Sequence, residues 1–336
     1  MISVKNPLRR RWLGALLALL PGLGAGMAAF AQPAAESAIA AWPARPVRVV
    51  VAFAPAGAAD ILARSLGEVL QRELRQPFVV DNRPGAGGNI GTDNAAKAAG
   101  DGYTLLLGID TTFTVNPFIY KGMPFKGSDL RPVMVLASQG MMVAVHPQTG
   151  LRTLDQFIAR GRKSGLTLGS AGYGTPGHLA SAILGHETGA KVSHVPYKGN
   201  APAATAVLSG EVDGGIISSS ALLGQVAAGK VLPLAVTTRQ RNPLVPDVPT
   251  VGELGHPGLE QEVLFALWVP ASTPEALVRK IQTALEKALQ DGPLRERMRA
   301  NDLAYEGLTG SAATARLQAL SDRYRAVIQA TGMKME

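Results

Sequence analysis

The stretch Val47-Arg48-Val49-Val50-Val51-Ala52-Phe53 is an almost continuous run of apolar, mostly β-branched residues. Such a run is typical of a parallel strand that is buried on both faces of its sheet. A loop of small residues follows at 54–59, and Asp60 opens a segment whose apolar residues recur at helical spacing. A strand, a short loop and a helix in this order predict a βαβ unit, and hence an α/β fold.

The alternation of strand and helix occurs in two successive sets. Strands are predicted in the first set at 47–53, 78–80 and 103–107, and in the second at 166–168, 192–195, 215–217 and 232–236. Most of the last third has the pattern of helices, and these must return to the first domain because they have no sheet of their own. We therefore expect two doubly wound α/β domains, with residues 41–143 plus 236–336 in domain I and residues 144–235 in domain II.

The composition excludes several classes of protein. The chain has 336 residues, enough for two domains, and its 46% hydrophobic and 17% charged residues are typical of a folded protein. The absence of cysteine excludes thiolate catalysis, disulfides and cysteine-based metal sites. Half of the formal net charge of +8 lies in residues 1–31, so the remainder favours an anionic ligand only weakly and gives no indication of nucleic-acid binding.

The first 31 residues have the pattern of an export signal. Arg9-Arg10-Arg11 precedes an apolar run at 12–20, and Ala29-Phe30-Ala31 has the small-x-small form of a cleavage site. An uncleaved membrane anchor is the alternative, but Pro21 and several glycines interrupt the run before the roughly 20 residues that a span needs. We expect cleavage near Ala31 and an exported protein. Both the general and the twin-arginine export routes remain open.

Two loops at the carboxyl ends of strands are the candidate site, because ligands of such sheets bind beyond these ends. The loop at 54–60 offers small residues and the unpaired N–H groups of a helix start, although Asp60 could serve only as a helix cap. The loop at 169–178 adds the hydroxyls of Ser170 and Thr175. His178 follows in the first turn of a helix, where a neutral imidazole is favoured over a charged one.

Catalytic and cofactor motifs fit this sequence poorly. Residues 172–177 spell G-x-G-x-x-G, but the next strand ends in Val195-Pro196-Tyr197-Lys198, without the acid that binds a dinucleotide ribose. Ser170 lacks the G-x-S-x-G elbow, and His186-Glu187 lacks a second histidine at zinc-site spacing. We expect no cofactor, no metal and no catalytic residue. An exported α/β enzyme and a nucleotide-binding module remain as alternatives to a binding protein.

Several ordered motifs resemble one family. They are Trp42-Pro43-Ala44-Arg45-Pro46-Val47-Arg48, Asp81-Asn82-Arg83-Pro84-Gly85-Ala86-Gly87-Gly88-Asn89-Ile90-Gly91, Asp101-Gly102-Tyr103-Thr104, His194-Val195-Pro196-Tyr197-Lys198-Gly199 and Pro246-Asp247-Val248-Pro249-Thr250. Together they resemble the Bug-type receptors, the periplasmic solute-binding proteins of tripartite tricarboxylate transporters. The resemblance covers about 41–330.

This resemblance implies a hinged two-domain fold of the Venus flytrap type, similar to the type II periplasmic binding proteins, which closes over a small carboxylate. The main chain of the first loop would hold the carboxylate through Ala54, Ala56, Gly57, Ala58, Ala59 and Asp60. Asp110 and Thr111 would contribute from the same domain. The opposite domain would contribute Ser170, Gly174, Thr175, His178, Ser218 and Ser219.

Two departures from the family pattern bear on the ligand. Ala59 stands where the family usually has a hydroxyl residue, and Asp110 adds a carboxylate where a small residue is common. Asp110 suggests a ligand that carries an amine or amide as well as a carboxylate. The resemblance also implies a monomer that works with membrane transporter subunits or with a sensor kinase.

Overall fold

In the computed structural model of the chain, residue 37 and residues 39–334 are described. The predicted export signal at residues 1–31 lies outside these residues. From Arg45 onward the chain forms one unit that contains two β-sheets.

The first sheet has six strands and the second has five. The first contains β1 (Val47–Val51), β2 (Phe78–Asn82), β3 (Thr104–Ile109), β4 (Leu130–Gln139), β10 (Val263–Pro270) and β11 (Ala304–Thr309), in the order β11-β4-β10-β3-β1-β2. The second contains β5 (Met141–Val145), β6 (Leu166–Ser170), β7 (Val192–Pro196), β8 (Gly214–Ser218) and β9 (Leu232–Val236), in the order β7-β6-β8-β5-β9.

Both sheets follow the same plan. Three parallel strands come first, as β2-β1-β3 in one sheet and β7-β6-β8 in the other. An antiparallel strand follows in each, β10 beside β3 and β5 beside β8, and it comes from a distant part of the chain. The expected doubly wound α/β fold with two domains is confirmed. The parallel strands of each sheet end at one edge, which is where ligands of such folds bind.

Helices connect and cover the two sheets. They are α1 (Ala58–Leu74), α2 (Asn89–Ala96), α3 (Thr111–Thr114), α4 (Asn116–Ile119), α5 (Leu154–Ser164), α6 (Pro176–Thr188), α7 (Asn200–Ser209), α8 (Ser219–Ala227), α9 (Glu275–Ala288), α10 (Gly292–Ala300) and α11 (Gly310–Thr331). As expected for the C-terminal helices, α9 and α10 pack on α1, while α11 packs on β4 but also contacts α6. Across the described residues, no helix has both the length and the apolar character of a membrane span.

The chain passes between the sheets at two adjacent places. Gly140 alone separates β4 from β5, so Met141–Val145 belongs to the second sheet, whereas the sequence expectation kept residues 141–143 in domain I. After β9 the chain returns through Thr237, whose N–H donates to Met141 O at 2.9 Å and whose carbonyl accepts from Gln261 N at 2.9 Å. The boundaries of the two domains remain a prediction.

The strand β11 lies between two segments that the sequence pattern predicts as helices, 293–299 and 312–330, at residues for which it predicts no strand. It pairs with β4 at the sheet edge, and its register shifts between Tyr305 and Leu308. Gly307 lies in this irregular stretch with a φ of 63°. Because its residues are exposed or only half-buried, β11 lacks the apolar alternation that identifies a strand in a sequence.

Tight packing of α2 on β1 can be tested at Gly91. A Cβ at this position would lie 2.7 Å from Ala52 Cα and 2.9 Å from Arg83 O. Because both neighbours are backbone atoms, we expect Gly91→Ala to lower the free energy of unfolding by about 1–3 kcal/mol in chemical denaturation. Gly127→Ala is the control, since no atom lies within 4 Å of its Cβ. Equal losses in the two variants would contradict the packing argument.

The carboxyl group of Asp302, at the crossing between the sheets, should make the free energy of unfolding depend on pH. Its carboxyl group faces Ser219 and the N–H of Gly140, and burial raises its pKa to about 6. Because the folded protein holds this proton more tightly than the unfolded chain, ionisation as the pH rises through that pKa costs stability. Asp302→Asn should therefore raise the free energy of unfolding at about pH 8 and leave it nearly unchanged at about pH 4.

Asparagine tolerates the φ of 56° at this position, so the substitution introduces little backbone strain. Asp322→Asn, at an exposed carboxylate, is the control and should show no gain at either pH. A gain for Asp302→Asn that is the same at both pH values would contradict the raised pKa of Asp302.

Candidate ligand-binding site

The loop between β1 and α1 is held from behind by Asp60. The Asp60 carboxylate is only 3% exposed and accepts hydrogen bonds from Ala56 N, Arg64 Nε and Asn82 Nδ2, each at 2.9 Å. Ala56 has a φ of 63°, in the left-handed region that an L-residue rarely adopts. The hydrogen bond from Ala56 N to Asp60 maintains this conformation and so fixes the loop.

The same contacts keep Asp60 ionised. Burial opposes ionisation, but the hydrogen bonds from Arg64, Ala56 and Asn82 outweigh it, so the pKa of Asp60 lies below its ordinary value of 3.8. At neutral pH the carboxylate is therefore charged and paired with Arg64. Three donors of the chain itself engage it, and it is not part of the cavity lining, so it acts as a support for the loop.

Four helices begin at one cavity. The residues that precede α1, α6, α7 and α8 are Gly57, Thr175, Gly199 and Ser218, and all four line the cavity. None of these residues caps its helix with a side-chain hydrogen bond. The first N–H groups of a helix have no partner further along the helix. Some of them pair with nearby carbonyls here, since Gly199 N donates to Ala171 O and Ser219 N donates to Gly140 O, and His178 N donates to Thr175 O. The remaining first-turn N–H groups are available to a molecule in the cavity.

The cavity has a volume of about 410 Å³, within the range of small-molecule sites. The side of the first sheet contributes mainly apolar side chains, namely Phe53, Ile61, Ile109, Val263 and Phe265. The side of the second sheet contributes most of the polar ones, namely Thr175, Asn200, Thr205, Ser218, Ser220 and Gln225. The side of the first sheet is thus the more apolar one, although Gln139 also belongs to it, and the facing side offers most of the side-chain hydrogen bonds.

The electrostatic character of the cavity is positive. Lys198 is the one charged residue of its lining, which contains no Asp or Glu. Each helix N-terminus acts as roughly half an elementary positive charge. An anion is therefore favoured in this cavity over a neutral or cationic molecule.

The structure brings together half of the predicted site residues. The seven that line the cavity are Ala54, Ala56, Gly57, Ala58, Ala59, Thr175 and Ser218. The seven that are not part of its lining are Asp60, Asp110, Thr111, Ser170, Gly174, His178 and Ser219. All seven of the latter make hydrogen bonds that maintain the surrounding loops and turns, through the main chain at Thr111 and Gly174 and through the side chain at Asp60, Asp110, Ser170, His178 and Ser219.

Ser170 and His178 belong to a cluster behind the second loop. The hydroxyl of Ser170 lies 2.5 Å from His194 Nε2, and the His194 ring stacks on His178 with ring centres 4.1 Å apart. His178 Nδ1 accepts a hydrogen bond from Gly174 N at 3.3 Å. Burial lowers the pKa of His178 to about 3, assisted by His194, and lowers that of His194 to about 4. Both rings are therefore neutral at pH 7, as predicted for His178.

His178 and His194 instead line a second, wider cavity of about 720 Å³, which the end of α11 also borders. Gly174 lies against the carboxamide of Asn116, the first residue of α4. None of these three positions is part of the lining of the candidate site.

Asp110 is fully buried and is not part of the cavity lining. Its Oδ1 accepts a hydrogen bond from Leu264 N at 2.9 Å, and burial raises its pKa to about 7. Its neighbour Thr111 is 1% exposed. The geometry gives no support to the expectation that Asp110 selects a ligand with an amine or amide, because the carboxyl group is buried outside the cavity lining and its Oδ1 bonds to the chain itself.

The sequence analysis missed the segment 198–205 and the side chains of Gln139 and Asn301, all of which contribute to the lining. A signal for the segment was present, since Lys198 and Gly199 directly follow a predicted strand and precede a predicted helix. Gln139 and Asn301 gave no such signal. They meet because Gln139 Nε2 donates to Asn301 O at 2.8 Å across 162 residues of sequence.

The donor set of the cavity is unsuited to a metal ion. Its lining has hydroxyls, carboxamides and a lysine, but no carboxylate or imidazole. Elsewhere among residue 37 and residues 39–334, no three acidic or histidine side chains form a group that could hold a metal ion.

Comparison with known proteins gives a consistent result. Residues 62–333 match the family described as "Tripartite tricarboxylate transporter family receptor". The chain is 33% identical over 299 residues to the protein BugT of Bordetella pertussis, and the match covers 88% of this chain and 92% of BugT.

Two solved structures have similar folds. Rpa4515 of R. palustris, determined with adipate, has a TM-score of 0.83 and 30% identity, with 87% of this chain and 99% of that chain covered. The periplasmic binding protein BugD has a TM-score of 0.81 and 30% identity, with 88% of this chain and 100% of that chain covered.

The support that Asp60 gives to the first loop can be tested with Asp60→Asn. The amide cannot accept from three donors as the carboxylate does, so we expect a loss of about 1–3 kcal/mol in the free energy of unfolding. We also expect the substitution to accelerate hydrogen exchange in residues 54–58 more than in β1. The control is Asp155→Asn, whose carboxylate is 79% exposed and faces His256 alone. Unchanged exchange in the loop would contradict the supporting role.

Proposed function

The chain belongs to the family of tripartite tricarboxylate transporter receptors, and from this premise we propose that it captures a small organic acid between its two domains. The acid would be held by main-chain amides and hydroxyl groups, with no chemical conversion. In this proposal the protein works in the periplasm after cleavage of the export signal near Ala31, and it acts as a monomer.

One observation carries the proposal: four helix N-termini, without side-chain caps, begin at a single cavity that contains a lysine and no acid. Unpaired N–H groups at a helix start are a common site for carboxylates and other anions. The relative Rpa4515 was determined with adipate, a carboxylate. The ligand class therefore agrees between the cavity of this chain and a protein of similar fold.

The energies are sufficient for binding without chemistry. Four to six hydrogen bonds to a charged group, at about 1.5–3 kcal/mol each, exceed or offset an association cost of roughly 4–15 kcal/mol. A surplus of about 8 kcal/mol corresponds to micromolar affinity. Because the donors lie on both sides of the cleft, part of this energy favours closure of the domains.

The proposed domain arrangement follows from the two crossings. Residues 41–143 plus 236–336 were expected to form one domain and residues 144–235 the other, and we propose that the hinge lies close to Gly140 and Thr237. The closed form would then be recognised by membrane transporter subunits or by a sensor kinase. A conformational signal of this kind needs no contact between the ligand and the partner.

The proposal can be tested on the mature protein in three measurements. Native mass spectrometry of the protein as purified should show an added mass that matches an organic acid. Calorimetry against a panel of mono-, di- and tricarboxylates should give heat for at least one member. Small-angle scattering should show compaction with that acid. Absence of both heat and compaction across the panel would overturn the proposal.

A main-chain donor can be removed with Ala58→Pro. Ala58 is the first residue of α1 and lines the cavity, and Gly57 before it is extended, with φ −81° and ψ 168°. Proline is tolerated at this helix position and lacks the N–H group, so the fold should survive. Loss of one hydrogen bond to a charged group should weaken acid binding by about 10- to 100-fold in calorimetry.

The matched control is Glu275→Pro, at the first residue of α9, which is not part of the cavity lining. Its carboxylate makes only exposed ion pairs, which contribute about 0–1 kcal/mol. Equal affinity in the wild type and Ala58→Pro would show that this amide does not hold the acid.

A further inference from the structure

We propose that Gln139 is a positioning residue that holds the start of α8 against the first sheet, and that Ser218 acts on acid binding through this glutamine rather than by donating to the acid. The inference rests on the proposed function of the cavity, because it concerns how one of the helix starts is kept in place there. Both side chains line that cavity.

The contact between Gln139 and Ser218 bridges the crossing from the first sheet to the second. Gln139 is the last residue of β4 and pairs with Val263, whereas Ser218 is the last residue of β8 and pairs with Met141. Ser218 Oγ donates to Gln139 Oε1, and the two residues are only 8% and 2% exposed. Because Gly140 alone separates β4 from β5, a rotation of one sheet against the other changes the separation of these atoms. The hydrogen bond therefore favours one orientation of the sheets.

The orientation of the Gln139 carboxamide is determined by Asn301. Gln139 Nε2 donates to Asn301 O at 2.8 Å, and a carbonyl oxygen can only accept. Oε1 therefore faces Ser218 and accepts its hydroxyl hydrogen. In the 3.2 Å contact between the hydroxyls of Ser218 and Ser220, the donor is then Ser220. Since a serine has one hydroxyl hydrogen, Ser218 has none left to donate to an acid.

Further hydrogen bonds tie the start of α8 to the crossing. Ser219 N and Ser219 Oγ both donate to Gly140 O, at 3.2 and 3.0 Å. Asn301, which orients Gln139, is itself fixed because its Nδ2 donates to Arg297 O at 2.8 Å. A path of hydrogen bonds thus runs from α10 through Gln139 to α8, and it positions the remaining N–H groups of the α8 start relative to the first sheet.

A second buried glutamine has a similar place at the return crossing, with weaker bonding. Gln261 is 2% exposed, and its Nε2 donates at 3.2 Å to the carbonyl of Pro176, the first residue of α6. Within the described residues, its Oε1 is buried and lacks a hydrogen-bond partner. Because this unpaired acceptor offsets the gain from the one hydrogen bond, Gln261 contributes less to the orientation than Gln139 does.

The first measurement follows the orientation of the two sheets without any ligand. The chain has no cysteine, so Ser128→Cys just before β4 and Ser164→Cys at the end of α5 introduce two exposed thiols for spin labels. Pulsed electron paramagnetic resonance then gives the distances between the labels. In Gln139→Met, which keeps a side chain of similar size, Ser218 loses its acceptor. We expect the ratio of the orientation in this structure to a more open one to fall by about 5- to 30-fold.

The second measurement is a double-mutant cycle on acid binding. Calorimetry with acetate, succinate, malate, adipate and citrate is performed on the wild type, Gln139→Met, Ser218→Ala and the double variant. Because both substitutions remove the same hydrogen bond, each should weaken the binding of an acid by a similar factor, no larger than the shift in orientation. The double variant should bind that acid within about twofold of the weaker single variant.

Two other glutamines provide the controls. Gln282 Nε2 donates to Glu286 within α9, and Gln282 is not part of the cavity lining, so Gln282→Met should change neither the label distances nor the affinity. Gln261→Met should shift the ratio of orientations by less than about threefold, because its hydrogen bond and its unpaired acceptor have opposite effects.

The remaining outcomes separate the two levels of the proposal. If Ser218→Ala weakens binding about tenfold more than Gln139→Met, or if the two losses multiply in the double variant, Ser218 donates to the acid directly. The role of Gln139 is then overturned while acid binding stands. Label distances that are unchanged in Gln139→Met overturn that role as well. If the wild type gives no heat with any acid of the wider panel, the proposed function is overturned, and with it the effect of Ser218 on binding.

Discussion

The candidate site depends on unpaired main-chain N–H groups at the starts of four helices. At two other helix starts the protein satisfies such groups with its own side chains: Thr153 accepts from Gln156 N at the start of α5, and Asp291 accepts from Leu294 N at the start of α10. At the cavity these side-chain acceptors are missing. Because a buried donor without a partner costs about 1–3 kcal/mol, the cavity favours water or an anion that can accept these hydrogen bonds.

This arrangement follows from the sheet topology. In each sheet the central parallel strand and its neighbours end at the same edge, so the helices that follow them start close together. Small residues at those starts let the backbone approach a ligand, which explains Ala54, Gly57 and Gly199 at the cavity. The polar side chains that stiffen the site, such as Asp60 and Asn82, lie behind the loop rather than in the cavity.

The sequence allowed prediction of the fold and of the first loop, and the reason is local. The loop at 54–59 follows a buried strand and precedes a helix, so its place in the sheet determines its role. The second loop was predicted as a segment, but Ser170 and His178 point to the cluster around His194 instead of the cavity. Sequence spacing does not determine the side to which a residue in a glycine-rich turn points, since Gly172 and Gly174 have φ values of 129° and 72°.

Long-range contacts were beyond prediction for a different reason. Gln139 and Asn301 meet only after β4, β10 and β11 have paired, and β11 carries no apolar pattern of its own. The same holds for Asp110, whose carboxyl group finds Leu264 across 154 residues. A carboxylate next to a predicted anion site has two possible roles, and only the tertiary structure shows that this one bonds to the backbone.

Two glycines lie where the two sides of the cleft contact each other. A Cβ on Gly87 would lie 3.0 Å from Tyr173 O, and Gly174 lies directly against Asn116, whose Nδ2 donates to Gly87 O at 3.0 Å. Glycine at both positions lets the two backbones meet without side chains between them. In the function proposed above, an anion that contacts both sides of the cleft would stabilise the same geometry that these glycines permit, and its binding would favour domain closure.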